Sequence, residues 1–166
     1  MELRQEENVP DKVNTPRHIV DQVVAAELKR PVTRDSGDQY GVNPGKNELT
    51  VCVTNPYDCA RAKSAIQDAE RISSERFPGP SGDNIQDADR HCIWQALTTI
   101  RANVDFARKI GDAHEDDHPG TPESREMDQA NNQTGRDIGL RHEEDEEGAI
   151  DECHAKAEDG QLMVIA

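Results

Sequence analysis

The 166-residue chain is short of the residues that usually build a core. Aromatics make up 3%: one Trp, two Tyr and two Phe. Leu, Ile, Val and Phe together reach about 17%, which with a net charge of -15 falls where disorder is the default expectation. A stable fold therefore needs help from regular helix periodicity, crosslinks, a partner or salt. Basic charge is also scarce, with 19 Lys and Arg against 34 Asp and Glu, and the basic residues are scattered. That balance repels phosphate backbones, so nucleic acid is not favoured as a partner, and anionic lipid is disfavoured on the same ground. No apolar run approaches the ~20 residues that span a bilayer, so no transmembrane segment is expected. The start, Met1-Glu2-Leu3-Arg4-Gln5-Glu6-Glu7, lacks the apolar stretch of a signal peptide. Export would then need a signal already removed or a larger carrier.

What is present reads mostly as helix. Residues 1–14 are polar and without period, and are expected to form a flexible arm; residues 15–166 are expected to form a single helical domain. Thr15-Pro16, Asn55-Pro56 and Thr121-Pro122 each place a capping residue before a proline, the signature of a helix start. Ile19, Val20, Val23, Val24 and Leu28 follow the first of these at helical spacing. Cys59, Ala62, Ile66, Ala69 and Ile72 follow the second, and Met127, Ala130, Thr134 and Ile138 the third. Between them, Asp83 or Asn84 caps a central helix whose apolar ridge is Ala88, Cys92, Ala96 and Ile100, flanked by Ile93, Leu97, Val104, Ala107 and Ile110. Ala149, Ile150, Cys153 and Ala157 suit a last short helix.

Leu49-Thr50-Val51-Cys52-Val53 alternates and is β-branched, and Leu162-Met163-Val164-Ile165 is apolar and β-prone. The expectation is a mainly α, compact bundle of about five helices with a small two-stranded β element, about 49–53 with 161–165. Four Cys allow three pairings. Cys52 and Cys59 flank the Asn-Pro turn at a spacing that suits a local bridge. Cys92 and Cys153 lie in helical patterns, where the plain reading is a small buried residue and a second bridge is the alternative.

Three polar clusters could carry chemistry. Asp87, His91 and Trp94 stand at i, i+4 and i+7, beside Arg90, on a face next to the apolar ridge. Asp87 is placed to hold the His91 ring and raise its pKa, which suits a general base or a structural pair alike. Trp94 is most simply a core anchor, with a substrate platform as the sharper alternative. Asp128, Asn131, Asn132 and Arg136 line a second polar face. Such a set either crosslinks helices or holds a polar substrate group. The third cluster, His114-Glu115-Asp116-Asp117-His118, matches H-E-x-x-H, whose two His bind zinc one turn apart with Glu as base. Asp at both x positions and the stop at Pro119 weaken it, and no clear third-ligand helix follows, though Glu123 and Glu126 are available.

Together these clusters have a likeness. Arg90-His91-x-x-Trp94, then Ala113-His114-Glu115, then Met127-Asp128-x-x-Asn131-Asn132-x-x-Gly135-Arg136 resemble an uncharacterised bacterial family over about residues 50–140. That family occurs as small secreted proteins and as C-terminal modules of large surface or polymorphic-toxin proteins. Cys52, Asn55-Pro56 and Cys59 fit its habit of a Cys-flanked Asn-Pro turn, while Asp87 and Asp89 stand where Asn and Phe are usual. The resemblance implies an effector or toxin context without fixing a reaction.

The resulting expectation is an exported effector or toxin-type domain with a polar site of hydrolytic chemistry. Its catalytic residues would be His91, His114, Glu115 and Asp128; its substrate contacts Asp87, Arg90, Trp94, Asn131, Asn132 and Arg136. His91, His114 and Asp128 should converge around one cleft, within about 2.6–3.2 Å or one bridging water. No cofactor or metal ligand set is assigned, because the spacing of the His and carboxylates is not diagnostic of a divalent ion. A cognate immunity or inhibitor protein, or a larger secreted carrier, is the expected partner. The alternatives are a non-catalytic interaction module whose polar clusters are structural, and an H-E-x-x-H zinc metalloprotease.

Overall fold

Asn84, Asn103, Thr121 and Asp145 each accept, through a side-chain oxygen, a backbone N–H two or three residues into the helix that follows. These caps punctuate the chain. The computed structural model describes residues 44–166, as six helices. They are α1 (Lys46–Thr54), α2 (Pro56–Arg76), α3 (Ile85–Arg101), α4 (Val104–Asp117), α5 (Pro122–Arg141) and α6 (Glu146–Glu158). The expected arm and the helix from Thr15 lie outside the described residues. Thr121-Pro122 opens its helix with a capping bond, whereas Asn55-Pro56 opens α2 without one, the Asn55 amide donating to the Val51 carbonyl instead. Asn84, not Asp83, caps the central helix, which ends at Arg101 rather than running on through Ile110, because Asn103 caps a new helix at Val104.

α3 is the axis of the bundle, with α2, α4, α5 and α6 packed around it. Every residue of 86–99 is buried, polar ones included. A chain with so few large apolar side chains fills its core by bringing backbones close. Ala62, Ala65 and Ala69 of α2 are 3%, 0% and 0% exposed and belong to the same core cluster as Ala88, Cys92, Ala96 and Leu97 of α3. On the opposite flank, Gly135 and Gly139 of α5 approach so closely that an added Cβ would sit 2.2 Å from the Cys92 carbonyl oxygen and 2.7 Å from that of Ala96. Cys92 is also bonded to Cys153 of α6, with Cα atoms 5.8 Å apart. Arg101 closes the far end by bonding Ser64 and Asp68 of α2 and Glu146 of α6.

The two-stranded element is not present: there is no strand among the described residues. Residues 49–53 are helical because tertiary anchors outweigh their β propensity. Asp117 of α4 accepts from the backbone N–H groups of Asn47 and Glu48, at 3.1 and 2.9 Å, so it caps the start of α1. Glu48 reaches back to the Gly45 N–H at 2.8 Å, and the Cys52–Cys59 disulfide ties α1 to α2 across the Asn-Pro turn. Leu49 and Val53 remain 49% and 80% exposed, so no sheet face is being buried there. In residues 161–165, the Asn131 side chain takes the place of a partner strand. Its amide donates to the Met163 carbonyl at 2.8 Å and accepts from the Met163 N–H at 2.9 Å. Leu162 is buried beside this clamp, and the N–H groups of Ile165 and Ala166 both reach the Asp83 carbonyl at 3.1 Å.

The burial of α5 also differs from its apolar stripe. Met127 and Ile138 are buried, but Ala130 is exposed, and the polar ridge Asn131, Asn132, Gly135, Arg136 faces inward. The two glycines decide this, since only their ridge can lie against the α3 backbone. No helix among the described residues is long and apolar enough to cross a membrane.

Candidate functional site

The inward polar ridge of α5 meets the polar face of α3 and the end of α4. His91 Nδ1 lies 3.0 Å from Asn132 Oδ1, and Asn132 Nδ2 donates to Glu115 Oε1 at 3.1 Å. An amide oxygen only accepts, so Nδ1 of His91 carries the hydrogen. Its Nε2 then accepts from Arg90 Nη2 at 3.2 Å. Arg90 is also paired with Asp87, whose other oxygen accepts from the Asp83 N–H at 2.9 Å. On the same side, Asp128 Oδ1 approaches His91 Nε2 at 3.3 Å and finds no hydrogen-bond donor among the described residues. A proton on Asp128 would let it share, with Arg90, the one lone pair of Nε2; without that proton, two lone pairs face each other.

Burial sets the charges. It lowers the His91 pKa well below the usual histidine value, helped by the neighbouring Arg90 and His114, and the Asn132 bond opposes it only in part. Asp87 therefore does not raise the His91 pKa as its i, i+4 spacing suggests, because Arg90 claims that carboxylate. Burial and the Asp87 charge push Asp128 up to about 7. Burial and the Asp128 charge push Glu115 up to about 8, against the pull of Asn132 and Arg125. At neutral pH the His91 imidazole is thus neutral, and Asp128 and Glu115 keep or share their protons.

These groups border a pocket of about 330 Å³, lined by Asp83, Asp87, His114, Glu115 and Asp128 with the 118–120 turn and Ser124. Its rim is fixed locally. Ser124 Oγ donates to Asp83 Oδ2 at 2.9 Å, and Arg125 Nη1 donates to the Glu115 carbonyl at 2.8 Å, locking the turn between α4 and α5. Asp83 adopts φ +54°, a left-handed conformation that aspartate tolerates better than most residues.

The expected site residues separate into three groups. Asp87, His114, Glu115 and Asp128 line the pocket, and His91, Arg90 and Asn132 lie immediately behind them. His91 and Asp128 approach within 3.3 Å, close to the expected distance. His114 packs near His91, with ring centroids 6.4 Å apart, and makes its own close contact elsewhere: Nδ1 lies 2.8 Å from Glu48 Oε1. Asn131 holds the C-terminal segment. Arg136 donates to Gln95 Oε1 at 2.9 Å and to Gln133 Oε1 at 3.0 Å. Trp94 is 3% exposed, belongs to the core cluster and meets His114 edge-on at 5.2 Å.

Glu48 and Asp83 escape a reading of the sequence. Glu48 lies 66 residues from the histidine it meets, and its only local signal is its place three residues after Gly45, where an acid favours a helix start.

No curated protein and no solved structure matches the chain. A family described as a domain of unknown function, DUF6973, matches residues 49–161, a span that holds the whole of α3, α4 and α5 and every pocket-lining residue named above. The chain belongs to the DUF6973 family.

Proposed function

We propose that this domain is a hydrolase of the secreted effector or toxin type, working by general acid–base catalysis at the Asp128–His91 face of the pocket. One observation carries the proposal: a carboxyl with pKa about 7 stands at the pocket 3.3 Å from a buried neutral imidazole whose other nitrogen is held by Asn132. A group that is half protonated near neutrality is suited both to give and to take a proton. Asp128, partly exposed, meets the substrate; His91 orients it from behind and shares its proton. Asn132 fixes the His91 tautomer, and Glu115 in turn holds Asn132. His114, on the pocket wall, is the second group able to accept or donate there.

The acidic lining of Asp83, Asp87, Glu115 and Asp128 suits neutral or cationic polar substrates, such as glycan or peptide, over phosphate esters. Both disulfides are compatible with a secreted protein, and export would bring the domain to an extracellular or periplasmic target. A cognate inhibitor protein that covers the pocket, or a larger carrier, is the partner this context calls for.

The test is a toxicity assay with periplasmic delivery, paired with hydrolysis of cell-wall glycopeptide and protein substrates. Asp128→Asn and His91→Gln should each lower activity by about 10²–10⁴-fold while keeping the native circular dichroism. Folded variants that remain as toxic and as active as the parent would defeat the proposal.

A non-catalytic interaction module is the second reading, favoured by the internal partners of Asn131, Asn132 and Arg136. Under it, the same variants change stability alone, and no substrate is turned over by the parent.

A further inference from the structure

No clear third-ligand helix follows the H-E-x-x-H stretch, and the fold brings a carboxylate to it from the other direction. Glu48, on the first turn of α1, places Oε1 2.8 Å from His114 Nδ1 and Oε2 3.9 Å from His118 Nε2. The rings of His114 and His118, one turn apart on α4, lie with centroids 4.7 Å apart. One ligand atom from each of the three residues falls within 4.8 Å of the other two. A tetrahedral ion with bonds of about 2.0–2.1 Å needs ligand atoms roughly 3.3–3.5 Å apart. Each imidazole faces one oxygen of the Glu48 carboxylate, and with one atom per residue inside 4.8 Å side-chain rotations can close the set.

The position of Glu48 is built rather than incidental. Its carboxylate is steered by the Gly45 N–H, its own N–H is held by Asp117 of α4, and α1 is pinned at its other end by the Cys52–Cys59 disulfide. A side chain at position 45 would collide with Asp117, its Cβ lying 2.1 Å from Cγ, so this docking of α1 on α4 requires glycine. His114 is buried, while the His118 side chain is 44% exposed, and both line the pocket. The arrangement is a closed protein face with an open side toward the pocket.

A second constellation, Asp87, His91 and Asp128, has similar spacing. There the Arg90 guanidinium already bridges Asp87 and His91 Nε2 and supplies the cation. In the Glu48 set the carboxylate faces the two imidazoles themselves, all three being groups that can ligate an ion.

We propose that Glu48, His114 and His118 form a binding site for one borderline divalent cation of the Zn²⁺ class, opening onto the pocket. Two imidazoles with one carboxylate select such an ion over Ca²⁺ or Mg²⁺, which take mainly oxygen ligands. The site stands whether or not the domain is a hydrolase. Binding through His114 Nδ1 displaces the proton now shared with Glu48.

Calorimetric titration of the chelator-stripped full chain with Zn²⁺ tests this, with Mg²⁺ in a parallel run and Co²⁺ absorption as a ligand signature. The expected result is one equivalent of Zn²⁺, with no comparable Mg²⁺ binding and a visible Co²⁺ band. Glu48→Gln and His118→Ala should each weaken Zn²⁺ by at least about tenfold. Because His118 is half exposed and caps the end of α4, its variant is expected to fold. His142→Ala, which alters the separate His142–Glu152 pair, should leave the affinity unchanged. Absence of stoichiometric Zn²⁺ binding, or binding that survives His118→Ala and Glu48→Gln, would overturn the assignment.

Discussion

Asn132 stands between His91 and Glu115, accepting from one at 3.0 Å and donating to the other at 3.1 Å. Its amide joins the two, with an oxygen for the imidazole N–H and an N–H for the carboxyl. Asn132→Ala should strand a buried imidazole N–H and a buried carboxyl together, costing about 2–4 kcal/mol. Urea unfolding followed by far-ultraviolet circular dichroism measures that loss. A cost under about 0.5 kcal/mol would mean that the two groups find other partners readily.

Gly135 is a packing requirement. With the added methyl 2.2 Å from a backbone oxygen that cannot swing away, Gly135→Ala must push α5 off α3. A loss of about 3 kcal/mol or more is expected, even though alanine has the better helix propensity. Ala130, exposed on the same helix, provides the control: Ala130→Ser should change stability by less than about 0.5 kcal/mol. Equal midpoints for the two variants would contradict the close helix contact.

The two crosslinks should differ in worth. The Cys92–Cys153 bridge spans 61 positions and the Cys52–Cys59 bridge spans 7. On the chain-entropy account, removing the first costs about 4 kcal/mol and the second about 2 kcal/mol. Paired Cys→Ala variants, compared by thermal unfolding, should rank in that order. The opposite ranking would show that native-state effects outweigh loop closure.

Stability should fall as pH rises from about 6.5 to about 8. Asp89 and Asp128 are raised to about 7 and Glu115 to about 8, each chiefly by burial. A carboxyl whose folded pKa lies above its unfolded value favours the fold at low pH, and that contribution is lost as pH climbs through the folded pKa. His91 and His154 are lowered by burial and act in the opposite sense, but only as pH falls below about 6.5. Glu115→Gln, which keeps an acceptor for Asn132, should flatten the decline between pH 6.5 and 8 in a thermal-melt series. An unchanged slope in that variant would assign the proton to another group.

Much of the helical plan was legible from local chemistry. The capping residues and the Asn-Pro and Thr-Pro starts place helix boundaries through forces acting over three or four residues, and the structure keeps them. The Cys52–Cys59 pairing belongs with them, since seven positions about a tight turn leave little choice of partner. The candidate site was half legible. His91, Glu115, Asp128 and Asn132 meet at one place, and His114 packs beside them while bonding Glu48; Asn131, about 100° around the helix from Asn132, and Arg136, one turn further along it, meet other partners.

Long-range decisions needed the packed fold. Residues 49–53 carry strand-like chemistry, yet the helix that holds them is started by two backbone N–H groups donating to Asp117, a carboxylate 70 positions beyond Asn47. The α5 stripe misled for a related reason. Periodicity predicts which face is apolar, but steric contact between backbones chose the glycine face, and the polar residues beside it were buried with their partners. The chain's own order of residues determines where α2, α3 and α5 begin and which two cysteines flank the Asn-Pro turn. Which charge meets which, and so whether Glu48 completes the His114–His118 pair, depends on contacts between segments that no local force relates.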